Sequence, residues 1–249
     1  DFIQWAKDHD IPVGPGRGSG PGAVAAWALR ITDLDPIATS LLFERFLNPD
    51  RVSLPDIDID FDDEGRDKVL RYVIEKYGHT QVAQIITYGT MAAKSSIRDC
   101  ARVMELPLAE ANGLAKLVPE RPGTSLEKAF EEVKELNEVK KGSDLKAQVL
   151  KQAIVLEGSL RNTGTHACGV IITPDALTRF VPVSTAKDSD MLVTQFDNSV
   201  VESAGLLKMD FLGLTTLSII KTAVRNVQRT KGIVIYIDSV PLDDVKTYQ

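Results

Sequence analysis

The chain is short of the features that mark secreted, membrane-spanning or globally basic proteins. Its only two cysteines, Cys100 and Cys168, lie far apart in 249 residues and match no metal-ligand spacing, so no disulfide framework is written here and both read as ordinary buried thiols of a reducing compartment. No run approaches the roughly 20 apolar residues that span a bilayer, and the opening DFIQWAKDHD is neither a signal peptide nor an initiator methionine. Positive charge is not in excess. Lys and Arg number 29 against 35 Asp and Glu, leaving −6, so a nucleic-acid partner would have to be held locally. Internal repeats and low-complexity tracts are absent as well. These absences predict a water-soluble, cytoplasmic protein. What is present, 43% hydrophobic and 26% charged residues, suits one large domain or two modest ones with a real core. Starting without Met and stopping at DDVKTYQ without a cap, the chain reads as a piece of a longer one.

Hydrophobic periodicity predicts an α/β architecture interrupted by helices. A short helix near Phe2 to His9 is followed by the loop PVGPGRGSGPG (12–22) and by AVAAWALRI, a run of helix formers. SLPDIDIDF has the period of two of a strand, RDKVLRYVIEKYG is an amphipathic helix closed by Gly78, and QVAQIITYG is a further strand. From Met91 to about Leu160 the spacing is helical throughout, broken at PERPG and KKGSD, which predicts an inserted helical subdomain. Strand patterns resume at CGVIITP, MLVTQF and AGLLKMDFLGL, and the helix TTLSIIKTAVRNVQR follows.

Chemistry concentrates in three places. In LPDIDIDFDDEGRD, Asp56, Asp58 and Asp60 alternate with isoleucine, so an extended chain holds three carboxylates along one face. Like charges this close resist joint ionisation, which points to a cation between them rather than to a solvated edge. An EF-hand loop is a poor fit, because its sixth and twelfth positions would be Phe61 and Asp67 where Gly and Glu belong. The loop GPGRGSGPG lets backbone approach a ligand and leads into a predicted helix N-terminus, a place for phosphate; Arg17 adds a fixed cation and Ser19 a hydroxyl. It lacks a Walker lysine, and GSGPGA fits G-x-G-x-x-A without a convincing strand before it. In LLKMDFLG, Lys208 and Asp210 share one strand face opposite Leu207, Met209 and Phe211. Three carboxylates from two strands with a phosphate cradle fit a two-metal centre, and the all-oxygen ligand set suits Mg²⁺. Arg45 is balanced between a phosphate contact and an ion pair, and His166 lies in a polar loop before a strand, where a structural role competes with a substrate contact. His9 and His79 carry no supporting pattern, and a DNA contact by the helical insert would need one basic side, such as Lys94, Arg98 and Arg102.

In that order, VGPGRGSG, LLFERFLNPDRVSLPDIDIDF, QIITYGTMAAKSSIRD, NTGTHACGVII, VTQFD and LLKMDFLGL resemble the bacterial C-family replicative DNA polymerases. The resemblance covers nearly the whole chain. It implies a nucleotidyltransferase-like palm with a mixed sheet over residues 1–88 and 165–213, a helical thumb over 89–164, and the start of the fingers over 214–249. It implies that Asp56, Asp58 and Asp210 are the catalytic, metal-binding aspartates and that Gly18 and Ser19 hold the incoming triphosphate. Arg17, Arg45 and Lys208 would lie near the triphosphate or primer terminus, and Asp60 would stand outside the catalytic three; His166 stays a candidate primer or phosphate contact beside them. The implied activity is template-directed DNA synthesis with two Mg²⁺ ions on primer-template DNA and deoxynucleoside triphosphates. The sliding clamp and other replisome subunits would be partners of the complete protein. The alternatives are a nucleotide-binding regulatory module, which has no need of Asp210, and a calcium-stabilised structural domain.

Overall fold

The computed structural model describes residues 1–50, 58–186, 189–241 and 243–249. Two compact units emerge, a sheet unit of residues 1–86 and 165–249 and a helical unit of residues 87–164. The helices are α1 (Phe2–Asp8), α2 (Val24–Ala28), α3 (Arg66–Tyr77), α4 (Ala93–Val103), α5 (Leu108–Leu117), α6 (Leu126–Glu132), α7 (Lys134–Lys141), α8 (Leu145–Leu156), α9 (Thr215–Lys231) and α10 (Val245–Tyr248). The strands are β1 (Asp58–Phe61), β2 (Val82–Thr90), β3 (Leu160–Ile172), β4 (Val183–Ala186), β5 (Ser189–Asp197) and β6 (Lys208–Gly213).

The strand order is β1-β6-β3-β2-β5-β4. The sheet is mixed: β1 runs parallel to β6 and β2 to β5, whereas β3 is antiparallel to β6 and β4 to β5. Alternation sends successive residues to opposite faces, and the core follows it. Ile59, Phe61, Val170 and Phe211 pack with Ile3, Ala6, Val69 and Val73 of α1 and α3. Ala83, Ile85 and Ile171 join Leu177, Val181 and Leu206 in a second cluster. Phe61 and Phe211 are fully buried with ring centroids 5.5 Å apart, so the apolar halves of β1 and β6 lock the two strands side by side. α3 ends where expected, at Gly78 with φ 107°, a conformation that favours glycine.

The helical unit has its own apolar core, drawn from α4, α5, α6, α7 and α8 and including Ile97, Leu114, Leu126, Leu136 and Leu150. The starts of α6 and α8 are satisfied by side chains: Ser125 accepts from Lys128 N, Asp144 from Ala147 N at 3.0 Å, and Glu157 from Leu126 N at 2.9 Å. The three basic residues considered for DNA each have a neighbour within the unit: Lys94 with Glu120, Arg98 with Asn112, and Arg102 with Asp99.

Two expectations change. The helix after the glycine-rich loop is only five residues long, preceded by a 3₁₀ turn at Gly20–Gly22 and ended by Arg30 at φ 57°. Propensity suggested a longer helix, but the chain must turn back to bond Asp33 N to Pro15 O at 2.8 Å. His166 lies within β3, not in a loop before it, because the strand extends upstream through the polar stretch LRNTGTHA. Residues 215–231 group with the sheet unit, since α9 is tied to it by Asp63 and Asp10.

Candidate active site

The two strands that carry the predicted aspartates are neighbours. Asp58 pairs with Asp210 in the parallel register of β1 and β6, strands that lie about 4.8 Å apart. Residues aligned across a sheet share a face, and Ile59, Phe61 and Phe211 occupy the opposite, core face. Asp58, Asp60 and Asp210 therefore present carboxylates on one side. Asp56 lies outside the described residues.

The glycine-rich loop runs along the outer edge of β1. Gly14 N donates to Asp60 O at 2.7 Å, Asp62 N donates to Pro12 O at 3.1 Å, and Val13 bridges Phe61. Gly16 (φ 111°) and Gly18 (φ 70°) turn the loop, and a side chain on Gly16 would meet Thr32 at 2.9 Å. The turn brings Arg17 back over the carboxylates, Nη1 3.2 Å from Asp58 and Nε 3.2 Å from Asp60. Gly22 packs so closely on Leu42 O that a Cβ would lie 2.9 Å from it, which brings the Phe43–Arg45 turn up to the loop. Arg17, Gly18, Ser19 and Arg45 consequently line one cavity of about 320 Å³, with Leu41 and Leu42 as apolar wall. The short α2 removes the helix dipole as a source of attraction for anions, leaving the two guanidinium groups and the loop backbone. A larger cavity of about 610 Å³, lined by Lys7, Trp27, Arg30 and Asp33, gathers no such set of groups; Lys7 and Asp33 are paired at 2.6 Å.

Asp210 is the most enclosed of the described acidic groups on this face. Lys208 Nζ is 3.0 Å from Oδ2, while Oδ1 is buried without a hydrogen-bond partner. An uncompensated carboxylate oxygen in a buried place is costly, and a cation is one partner that can answer it. A hard divalent cation held by carboxylate oxygens of Asp58 and Asp210 fits that donor set. Arg66 fastens the strand ends nearby, its Nε donating to Phe211 O at 2.7 Å and its Nη2 to Ala167 O at 2.5 Å. Sequence reasoning missed Arg66; only its place at the start of α3, one turn after the acidic strand, hinted at it.

His166 and Cys168 complete the neighbourhood. Strict alternation along β3 would send both to the core face with Val170, yet His166 Nδ1 accepts from Gly169 N at 2.8 Å and lies 3.6 Å from Cys168 Sγ. Gly169, opposite Asp210 in the register, makes room for the ring: a Cβ there would stand 2.9 Å from Nδ1. His166, Cys168 and Asp210 each offer a ligand atom within 4.8 Å of the others. Burial, and then the adjacent Asp210 carboxylate, push the Cys168 thiol pKa up. Cys168 carried no signal in the sequence, because its neighbours arise from a local irregularity of the strand.

The fold and site thus define a mixed α/β protein with an acidic centre on two adjacent parallel strands, beside a basic, glycine-rich loop. Residues 1–213 match the family described as bacterial DNA polymerase III alpha NTPase domain, and the chain belongs to that family. Among similar proteins, DNA polymerase III subunit alpha of Pseudomonas aeruginosa is 51% identical over 252 residues and that of Escherichia coli K12 is 50% identical over 252, each covering all of this chain and 22% of the relative. The Chlamydia trachomatis protein of the same name is 49% identical over 248 residues, with 20% of its length covered. The chain thus spans about a fifth of the length of these relatives. Among the described residues no helix is long and apolar enough to cross a membrane.

Proposed function

We propose that this chain forms the catalytic centre of a replicative DNA polymerase, adding deoxynucleotides to a primer 3′ end under template direction. In this reading residues 1–88 and 165–213 are the palm, residues 89–164 the thumb, and residues 214–249 the start of the fingers. The observation that carries it is the register of Asp58 with Asp210, together with the buried, unpartnered Oδ1 of Asp210. Asp56, Asp58 and Asp210 are the catalytic ligands for two Mg²⁺ ions. When bound, these ions supply a lowered pKa for the primer hydroxyl and charge neutralisation at the departing pyrophosphate.

The remaining work falls to the chain's own side chains. Arg17 is half exposed and held by Asp58 and Asp60 at 3.2 Å, an ion pair weak enough for a triphosphate to compete with. Arg17 and Arg45 bind the triphosphate's charge from two sides of the 320 Å³ cavity, and Gly18 and Ser19 bring backbone and hydroxyl within reach of its oxygens. Lys208 steadies Asp210 and, with His166, faces the primer or a phosphate. Primer-template DNA and deoxynucleoside triphosphates are the substrates, the sliding clamp and other replisome subunits the partners of the complete protein, and the cytoplasm its place. Primer extension by the full-length protein bearing Asp210→Asn tests the reading: activity close to wild type would remove Asp210 from the chemistry and sink it.

A further inference from the structure

We propose that His166, Cys168 and Asp210 form a binding site for a borderline-soft divalent ion, Zn²⁺ by its ligand set, distinct from the all-oxygen site shared by Asp58 and Asp210. The donor set is one nitrogen, one sulfur and one oxygen, the combination that Zn²⁺ takes and Mg²⁺ does not. The geometry suits it. Zinc–sulfur and zinc–nitrogen bonds of about 2.3 and 2.0–2.1 Å at a tetrahedral angle set the two ligand atoms about 3.6 Å apart, and Cys168 Sγ stands 3.6 Å from His166 Nδ1. All three ligand atoms fall within 4.8 Å of one another, which side-chain rotation can close. Asp210 brings to the set an oxygen that is buried and without a hydrogen-bond partner.

The ring is in the right tautomer. Nδ1 accepts the Gly169 N–H at 2.8 Å, so in neutral imidazole its lone pair is available and the proton is on Nε2. Binding draws that lone pair from Gly169, a cost that holds the affinity below that of a four-ligand structural zinc site. As the Zn–S bond forms, the Cys168 thiol releases its proton to solvent. Lys208 remains on Oδ2 while Oδ1 turns to the metal. A consequence rests on the polymerase reading: an Asp210 held by zinc is lost to Asp58, so Zn²⁺ inhibits nucleotide addition.

Cobalt titration of the 249-residue chain tests the site without reference to activity. Co²⁺ should produce a near-ultraviolet thiolate-to-cobalt band that Zn²⁺ displaces, that disappears in Cys168→Ser and that survives in Cys100→Ser. No such band, or one retained in Cys168→Ser, overturns the site. On the unmutated chain, Zn²⁺ but not Mg²⁺ should slow alkylation of Cys168 by iodoacetamide at least about tenfold; an unchanged rate equally overturns it. Zinc inhibition of primer extension by the full-length protein should weaken at least about tenfold in Cys168→Ser. If cobalt binds as expected and inhibition does not follow the cysteine, the site stands and the catalytic role of Asp210 falls.

Discussion

Asp99 in the helical unit and Asp210 in the sheet unit each leave 10% of the side chain exposed, and the two are held in opposite ways. Asp99 sits between two arginines, with Arg102 Nη2 3.0 Å and Arg161 Nη2 3.2 Å from Oδ1 and Arg161 Nε 2.7 Å from Oδ2. Each of its oxygens has an arginine nitrogen within 3.2 Å. Asp210 has a single lysine, on Oδ2, and its Oδ1 is buried without a hydrogen-bond partner. Burial alone therefore does not set the two apart; the number of cations around each carboxylate does, two arginines at Asp99 and one lysine at Asp210. The contrast extends to the units. The helical unit closes its apolar core and caps α6 and α8 with side chains, whereas the sheet unit turns carboxylates, glycine backbone and guanidinium groups towards one side.

The sharpest way to break this comparison is to neutralise both kinds of carboxylate. Asp210→Asn and Asp58→Asn should each cut primer extension by the full-length protein about 10³-fold or more, with thermal unfolding nearly unchanged because the strand faces relax when charge is removed. A large fall in melting temperature would put Asp210 in the class of Asp99. Ser19→Ala should raise the KM for deoxynucleotide about tenfold or more, since a hydrogen bond to a charged group contributes roughly 1.5–3 kcal/mol. Steady-state kinetics with primer held saturating measures it, and a change confined to primer affinity would contradict the cavity assignment. Asp99→Ala should do the reverse of Asp210→Asn, destabilising the chain by about 1–3 kcal/mol in urea while its arginines, Arg102 largely and Arg161 half exposed, rehydrate.

The smallest effect concerns two adjacent aspartates of the sheet unit. Asp62 is 1% exposed and burial raises its pKa, against the opposing pull of Lys221 4.0 Å away. Its folded pKa lies above the unfolded one, so its contribution is present at acid pH and lost as pH rises through the folded value. Asp63 is opposite: hydroxyls of Ser218 and Thr215 lower its pKa, so its contribution is present above the unfolded value and lost on acidification through the folded one. Asp62→Asn should accordingly raise stability at neutral pH, and Asp63→Asn should lower it there and flatten the acid limb. Urea melts between about pH 3 and 7 separate the two.

Much of the framework was legible in the sequence because periodicity is local. α3 with its closing glycine, β2, the helical run and α9 all follow from spacing within ten or fifteen residues. The pairing of Asp58 with Asp210 was not, since nothing local records which strand will lie beside which across 152 positions; the resemblance to known polymerases supplied that expectation. β4, four residues long and only partly buried, carried too weak a pattern to notice. Asp60 looked equal to its neighbours in the row, and the structure sets it with Asp58 under Arg17, opposite Leu212 rather than a third acid. Cys168 and the burial of Asp62 depend on a strand irregularity and a turn, which alternation does not encode.

The way α9 leaves the sheet has a mechanical side. Leu214 N bonds Phe61 O at 2.8 Å, and Asp63 accepts from Thr215 and Ser218, so the helix that continues from β6 is also clamped to the residues that follow β1. Lys221 and Arg225 extend the clamp to Asp10. A pull or twist on α9 is shared between the two strand ends, like a load hung from a yoke. The strands carrying Asp58 and Asp210 are thus joined at their ends through the helix as well as through their own ladder.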